Sequence, residues 1–422
     1  SVDIERLRLQ GTVSIEGGGA FSAGEVVASD GRLAVNGGTL VDTVLRSDSD
    51  TPVLNVTSGI LQGVILESDA SSGASASRSF TVRDGLTVNG RFNLAATEAR
   101  STMILPGDSA IDGSGTLNLS GGINRAWVRL DDVDRNEAET AVFGPDLGIH
   151  GTGWLYTDRP EDHFRLLGPV TASGGELRID RIDQAGAPLQ LDSESEGFVS
   201  LTASVADTTL VSGENADVRI EGARLADVVF AGPGKARIDT GSATGLIVAG
   251  TAVIEPAAPG TNPTLVVFDG LTVDGVLSVS GTSQRTATLE VEGAQTVGGS
   301  GTILLSRGNA LGEEAVRNAL VFDGVLGEAE VLVFGAELTL AGDGMVSAQD
   351  SGDSIQILGT VEGRAGGELF LEDIANGGES FAVDASAGRV FLDNAVSEAV
   401  IAAVAGQTGV LDLANGAMLT GV

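Results

Sequence analysis

Apolar and polar residues alternate along short stretches of this chain. Three pairs of apolar residues, each separated by one polar residue, show the pattern: Leu117 and Leu119, Val218 and Ile220, and Leu411 and Leu413. Side chains alternate between the two faces of a β-strand, so each stretch would turn one face to a core and the other to solvent. Clusters of Gly, Asn, Asp and Ser separate the stretches and suit tight corners. The pattern predicts short β-strands joined by sharp turns.

A short period spaces these strands. Val-Asn-Gly-Gly-Thr-Leu at 35–40 is followed by Val-Thr-Ser-Gly-Ile-Leu at 56–61, which begins 21 residues later (56 − 35). Ile-Glu-Gly-Gly at 15–18 precedes the first of them by 20 (35 − 15). A strand and a Gly-rich corner at this spacing are typical of a solenoid coil. We therefore predict an all-β fold, a parallel β-solenoid (β-helix) of about 20-residue coils.

A longer repeat contains several of these coils. Asp-Gly-Leu-Thr-Val-Asn-Gly at 84–90 matches 269–275 at an offset of 185 (269 − 84), and Gly-Gly-Glu-Leu at 174–177 matches 366–369 at 192 (366 − 174). The repeat divides the chain into the end of one unit, two full β-solenoid units and the start of a third, at 1–32, 33–217, 218–403 and 404–422. Such a chain is expected to continue beyond both ends. Repetition on this scale is typical of a building material.

Two segments have a helical composition. The residues at 311–320, Leu-Gly-Glu-Glu-Ala-Val-Arg-Asn-Ala-Leu, predict a short helical insertion between coils. The segment 395–404 also resembles a helix when it is considered alone. It aligns, however, with Val-Ala-Asp-Thr-Thr-Leu at 205–210, which favours a strand, and we therefore predict a strand there.

Composition and charge exclude several classes of function. The chain has 58 acidic and 24 basic residues, and its net charge of −34 would repel a nucleic acid backbone. No stretch reaches the ~18 apolar residues that cross a membrane, so we predict neither nucleic acid binding nor membrane insertion. Cysteine is absent, which excludes disulfides and thiolate chemistry.

Chemically distinctive side chains are concentrated between residues 127 and 163. Both tryptophans, the single tyrosine and both histidines lie there. The ligand or interface candidates are Trp127, Trp154, Tyr156, Asp158, Glu161, Asp162 and His163. Aromatic rings beside paired carboxylates are typical of sites that act on carbohydrate. The aligned residues 345–354 keep only the aspartate, as Asp353, so we predict no catalytic residue and favour a packing or partner contact.

One acidic segment has the spacing of a calcium loop. Asp132, Asp134 and Asn136 alternate as the first ligands of such a loop do. Glu137 stands where the loop needs glycine, and Phe143 stands where it needs a bidentate glutamate. We interpret the segment as a polar turn and predict no cofactor, with bound calcium as the alternative.

The coil period, the Gly-rich corners, the missing cysteine and the few aromatic residues resemble those of bacterial extracellular β-solenoid proteins. That class includes autotransporter passengers, filamentous-haemagglutinin-like adhesins and giant surface adhesins. The resemblance implies a secreted or cell-surface structural protein without enzyme activity, part of a filament, appendage, sheath or adhesin stalk. Its partner would be itself, through end-to-end and lateral stacking, or a cell-surface polysaccharide.

Two alternative functions stay open. One is a polysaccharide-binding or polysaccharide-degrading β-helix protein, similar to a tail-spike or a lyase. The other is an adhesin that calcium makes rigid.

Overall fold

The chain was analysed as a computed structural model. It describes residues 3–72, 77–96, 99–121, 126–131, 137–256, 260–282, 284–306, 318–324, 328–397, 400–403, 410–413 and 418–420. Contacts divide the chain into two compact units, Ser1–Val218 and Arg219–Val422. The repeat boundaries expected from the sequence stay predictions.

The described residues form β-strands and no α-helix, and the strands are paired in parallel. They stack as a β-solenoid of about 16 turns with a spacing of about 22 residues. The predicted fold class is therefore confirmed. The turns are slightly longer than the predicted 20 residues because several strands bend at bulges, where extra residues enter one strand of a pair.

The first unit contains nineteen described strands and the start of a twentieth, which continues into the second unit. They are β1 Asp3–Leu9, β2 Thr12–Glu16, β3 Ala20–Ala28, β4 Arg32–Val41, β5 Val44–Ser47, β6 Leu54–Leu66, β7 Ala70–Ser72, β8 Arg78–Val88, β9 Arg91–Ala95, β10 Ser101–Pro106, β11 Ser109–Asp112, β12 Thr116–Ser120, β13 Ala126–Asp131, β14 Thr140–Phe143, β15 Gly148–Thr157, β16 His163–Leu166, β17 Val170–Asp183, β18 Pro188–Glu194, β19 Phe198–Ser212 and β20 Asp217–Ala231.

The remaining described strands belong to the second unit. They are β21 Lys235–Val248, β22 Thr251–Ile254, β23 Thr264–Val273, β24 Val276–Ser280, β25 Thr288–Glu292, β26 Thr296–Gly298, β27 Thr302–Ser306, β28 Ala319–Asp323, β29 Val331–Phe334, β30 Thr339–Gly342, β31 Gly344–Ala348, β32 Ser354–Ile357, β33 Thr360–Gly363, β34 Glu368–Ala375, β35 Ser380–Asp384, β36 Arg389–Ser397, β37 Val400–Ala403, β38 Val410–Leu413 and β39 Met418–Thr420.

Strands from successive turns form three ladders in each unit. In the first unit, β9, β12 and β15 begin the first ladder, β10, β13 and β15 the second, and β11, β14 and β16 the third. In the second unit the ladders are β24–β27–β30, β25–β28–β31 and β26–β29–β32. The pairing order is the same in both units, so the long sequence repeat is also a structural repeat.

The core of each unit lies between its ladders. Alternate residues of each strand are buried, as the pattern predicts, and Leu117 and Leu119 on β12 show this directly. Sharp bends separate the ladders. At the repeated Asp-Gly dipeptide, Asp84 has φ 52° and Gly85 has φ 89°, and the equivalent Gly270 has φ 67°. Aspartate and glycine tolerate this left-handed backbone better than most residues, which accounts for their place at the bend.

The two segments of helical composition have different outcomes. Residues 311–317 lie outside the described residues, and the last two positions of the predicted helix, 319–320, begin the strand β28. In the second segment, β36 and β37 cover the described residues up to Ala403, which confirms the predicted strand. No helix in the described part of the chain is long and apolar enough to cross a membrane.

Candidate functional site

Both tryptophans and the tyrosine lie on neighbouring strands of the second ladder of the first unit. Trp127 on β13 is in register with Trp154 on β15, and Arg129 on β13 is in register with Tyr156. The residues between them on each strand are buried in the core, so these four side chains project from the outer face. The register brings together residues that the sequence separates by 27 positions (154 − 127).

The three aromatic rings pack against one another at an angle. The centroids of Trp127 and Trp154 are 5.0 Å apart with planes at 76°, and those of Trp154 and Tyr156 are 5.0 Å apart at 63°. Trp127 and Tyr156 are 5.9 Å apart at 42°. Trp154 also donates a hydrogen bond from Nε1 to Oδ1 of Asp180, at 2.7 Å. The rings form a tilted cluster, whereas a sugar-stacking platform needs a flat, open ring face.

Three arginines surround the rings. The guanidinium of Arg100 lies 3.5 Å from the ring centroid of Trp127, and that of Arg178 lies 5.5 Å from the centroid of Trp154. Both distances allow cation–π attraction. Together these side chains form a surface that we call the aromatic–arginine patch, which consists of Arg100, Trp127, Arg129, Trp154, Tyr156 and Arg178.

Arg129 is held by acidic neighbours. Its Nε donates to Oδ2 of Asp158 at 2.9 Å, and an NH2 group lies 2.9 Å from Asp131 Oδ1. The hydrogen bond to Asp158 and the nearby negative charges raise the pKa of Arg129 above its ordinary value, against the effect of burial. Asp158 is therefore engaged in an ion pair inside the patch.

The other two predicted carboxylates are also engaged. Glu161 forms an ion pair with Arg159 at 3.6 Å. Asp162 is fully buried, and its Oδ1 accepts a hydrogen bond from the backbone N–H of Glu139 at 3.0 Å. Asp158, Glu161 and Asp162 are close in sequence, but they have separate partners.

The counterpart of Asp162 in the second unit makes the same contact. Oδ1 of Asp353 accepts a hydrogen bond from the backbone N–H of Glu330 at 3.0 Å, and its Oδ2 accepts one from the N–H of Gly324 at 3.2 Å. The persistence of this aspartate in both units is thus explained by a backbone contact at a corner of the solenoid.

The two histidines lie on different ladders. His163 on β16 belongs to the third ladder, with Nε2 3.0 Å from Thr140 Oγ1 and 3.9 Å from a carboxylate oxygen of Asp183. His150 lies on the part of β15 that pairs with β12, in the first ladder. The structure therefore does not gather both histidines at the aromatic rings. The prediction that Trp127, Trp154, Tyr156, Asp158, Glu161, Asp162 and His163 bind a ligand or partner stays a prediction.

A polar groove runs along the first ladder around His150. Asn118 donates a hydrogen bond to Asn93 at 2.8 Å, and Asn118 Oδ1 lies 3.3 Å from His150 Nδ1. The groove has a volume of about 440 Å³, and its wall includes Arg91 and Thr171. It is shallow, and its polar atoms come from successive turns of the solenoid.

The second unit carries aromatic and basic residues on the same ladder. Met345 on β31 is in register with Phe370 on β34, which is in register with Phe391 on β36. The rings of Phe370 and Phe391 stack at 4.5 Å with planes 4° apart, and the guanidinium of Arg389 lies 4.5 Å from the centroid of Phe391. Met345 pairs with Ala319 as Trp154 pairs with Trp127.

The calcium candidates Asp132, Asp134 and Asn136 lie outside the described residues. Across the part of the chain that the structure describes, no group of three or more His, Asp or Glu side chains is arranged to hold a metal ion.

Sequence reasoning missed the arginines of the patch. Arg129 could have been found, since it lies two positions after Trp127 in an alternating strand and so shares its face. Arg100 and Arg178 belong to the preceding and following turns, and only the register places them against the tryptophans.

Comparison of the chain with protein-family models, curated proteins and solved structures gave no match in any of the three.

Proposed function

We propose that this chain is a non-enzymatic, extracellular structural protein. It would form a repetitive β-solenoid rod in a cell-surface filament, appendage, sheath or adhesin stalk. The observation that carries the proposal is the structural repeat. The three ladders of the first unit recur with the same pairing order in the second, down to the buried aspartates Asp162 and Asp353. Repeats of this kind supply length and stiffness, because each turn is stabilised by its neighbours.

The state of the candidate carboxylates supports a structural role. Hydrolysis of a glycosidic bond normally needs two carboxyl groups that flank the substrate. Here Asp162 is fully buried in a backbone contact and Asp158 is bound to Arg129. Neither carboxyl is placed to act on a polymer at the surface.

Electron microscopy of the purified protein in negative stain tests the proposal. A structural polymer should give fibres with an axial repeat of roughly 40 Å, or a multiple of it, because about nine turns of ~4.8 Å make one repeat. Separate particles at every concentration and salt level would contradict it.

A polysaccharide-binding protein is the second candidate, and the groove around His150 favours it. Hydrogen-bonding side chains spaced by the strand repeat could follow the hydroxyl groups of an extended glycan. Isothermal titration against a panel of acidic and neutral polysaccharides tests this function. Binding that Asn118→Ala and His150→Ala both abolish would support it, with His163→Ala, on another ladder, as the control. Turnover of any of these glycans would instead indicate an enzyme.

A further inference from the structure

The aromatic–arginine patch differs in composition from the rest of the chain. It holds both tryptophans and the only tyrosine of a sequence in which aromatic residues make up 4 %. Tryptophan, tyrosine and arginine are the residues that contribute most to protein–protein interfaces. They lie on an outer sheet face, where packing within the solenoid core does not require them.

The geometry of the rings favours a protein partner over a sugar. Trp127 has Arg100 over its ring on one turn and meets Trp154 at 76° on the next. A flat sugar ring would have to displace one of these neighbours, whereas a protein surface can pack against the tilted edges. Arg100 is exposed and forms no ion pair with a described residue, so its charge is available to a partner.

Stacking on Trp127 also positions Arg100 in advance. The guanidinium group is planar and can stack on an indole while its edge donates to a carboxylate. An arginine already held in this way loses less conformational freedom when a partner arrives. The partner that suits it is a surface with unpaired carboxylates.

The second unit of the same chain carries such a surface. Glu290 and Glu292 on β25 and Asp323 on β28 project from the second ladder, where Glu292 and Asp323 are in register. None of the three carboxylates forms an ion pair with a described residue. Like charges on adjacent strands repel one another, and a cation from outside would relieve this repulsion.

We infer that the aromatic–arginine patch is a self-association surface whose occupant is a second copy of the chain, with Arg100 bound to the carboxylates Glu290, Glu292 and Asp323 of that copy. This inference rests on the proposed structural function and specifies its lateral contact. It also explains how a chain with a net charge of −34 associates with itself. The contact joins the few cations of one copy to a group of carboxylates on the next.

The contact is heterologous, since two different surfaces meet. Each copy has one of each, so lateral association can continue from copy to copy without closing. The stacked pair Phe370 and Phe391 with Arg389 lies on the same ladder of the second unit and can extend the apolar part of the contact. Extension of this kind is what a sheath or a bundled filament requires.

Both tryptophans of the chain lie in the patch, so tryptophan fluorescence reports on it directly. The full chain is studied over a concentration series at low salt by sedimentation velocity and by emission wavelength. Association should be accompanied by a shift of the emission to shorter wavelength, because the indoles leave water. Raising the salt from 0.1 M to 1 M should weaken association at least tenfold, since the Debye length falls from ~10 Å to ~3 Å.

Charge reversal then identifies the pair. Arg100→Glu and Glu290→Arg should each weaken association at least tenfold, and the double variant should restore most of it. Arg32→Glu, which reverses an exposed arginine on β4 outside the patch, is the matched control and should associate as the wild type does. Circular dichroism melting confirms that each variant is folded.

Three results would overturn the inference. Fibres and association that persist unchanged in both Arg100→Glu and Glu290→Arg would leave the structural function standing with a different lateral contact. A wild-type chain that stays monomeric under every condition would overturn the structural function as well. A monomer whose tryptophan emission shifts on adding oligosaccharides would assign the patch to a sugar ligand instead.

Discussion

The side chain of Gln184 forms hydrogen bonds with both backbone groups of Leu166. The N–H of Leu166 donates to Gln184 Oε1 at 2.8 Å, and Gln184 Nε2 donates to the carbonyl oxygen of Leu166. Both residues are buried. In the second unit, Asn376 makes the same pair of bonds to Ile357, 191 residues after Leu166 (357 − 166). Backbone pairing is short at both places, with a single registered pair each, and the amide completes the ladder.

Gln184→Ala should destabilise the third ladder of the first unit. The substitution leaves a buried N–H and a buried C=O without partners, at a cost of about 1–3 kcal/mol for each group. Native-state hydrogen exchange of the Leu166 amide measures the loss locally, and protection should fall by at least tenfold. Gln190→Ala removes an exposed glutamine from the next strand, β18, and is the control. Equal protection in both variants would contradict the role assigned to Gln184.

Asn376→Ala should have the same effect at Ile357. The two amides occupy equivalent places in the repeat, so their substitutions should cost similar amounts. The measurement is again exchange of the backbone N–H, here that of Ile357. If only one of the two variants loses protection, the two bonds are not equivalent and the structural repeat is less regular than the ladders indicate.

The fold could be predicted from the sequence, because strand alternation and corner composition are local signals. Residues such as Leu117 and Leu119 reveal their buried face without any long-range information. The role of Gln184 could not, since its partner lies one turn away and a buried amide has no local signature. Comparing the repeats predicted that Asp162 matters in both units. It could not distinguish a surface carboxylate from one buried against a backbone N–H.

The site was predictable in part for the same reason. Trp154, Tyr156 and Asp158 are close in sequence and share one strand face or its end, so they were found together. The contact between Trp127 and Trp154 depends on the length of an irregular turn, which the average coil period does not give. Arg100 and Arg178 required the full register.

Asp162→Ala should lower the stability of the first unit, and Asp353→Ala should do the same in the second. Each carboxylate accepts a hydrogen bond from a backbone N–H 23 residues earlier, and losing a charged acceptor costs about 1.5–3 kcal/mol. Thermal melting followed by circular dichroism measures the effect. Asp146→Ala changes an exposed turn residue and should leave melting unchanged. A destabilisation by Asp146→Ala as large as that by Asp162→Ala would argue against a specific contact.

Calcium removal should leave the melting temperature unchanged. The described residues contain no group of acidic side chains arranged for a metal ion, and the segment at 132–136 lacks both the glycine and the bidentate glutamate of a calcium loop. The measurement compares melting in EDTA with melting in calcium chloride. A lower melting temperature in EDTA would support the calcium-dependent adhesin. If the double variant Asp132→Asn, Asp134→Asn removed that difference, the ion would be placed at this segment.

Glu290 should make the second unit less stable as the pH rises. Partial burial, followed by repulsion from Asp323 and Glu292, raises the pKa of Glu290 above its ordinary value of 4.5. The folded chain therefore binds this proton more tightly than the unfolded chain. The stability that the neutral acid provides is present below pH 4.5 and is lost as the pH rises through the raised pKa. Glu290→Gln removes the charge, so it should raise the melting temperature at pH 7 and reduce the pH dependence above 4.5. Glu194→Gln, at an exposed position of β18, is the control. Because Glu290 also belongs to the proposed contact with Arg100, the same variant should stabilise the isolated chain while it weakens self-association. A purely structural carboxylate would not produce these two opposite effects. If Glu290→Gln lowered the melting temperature at pH 7, the carboxylate would have a stabilising partner, and its availability to a second copy would be excluded.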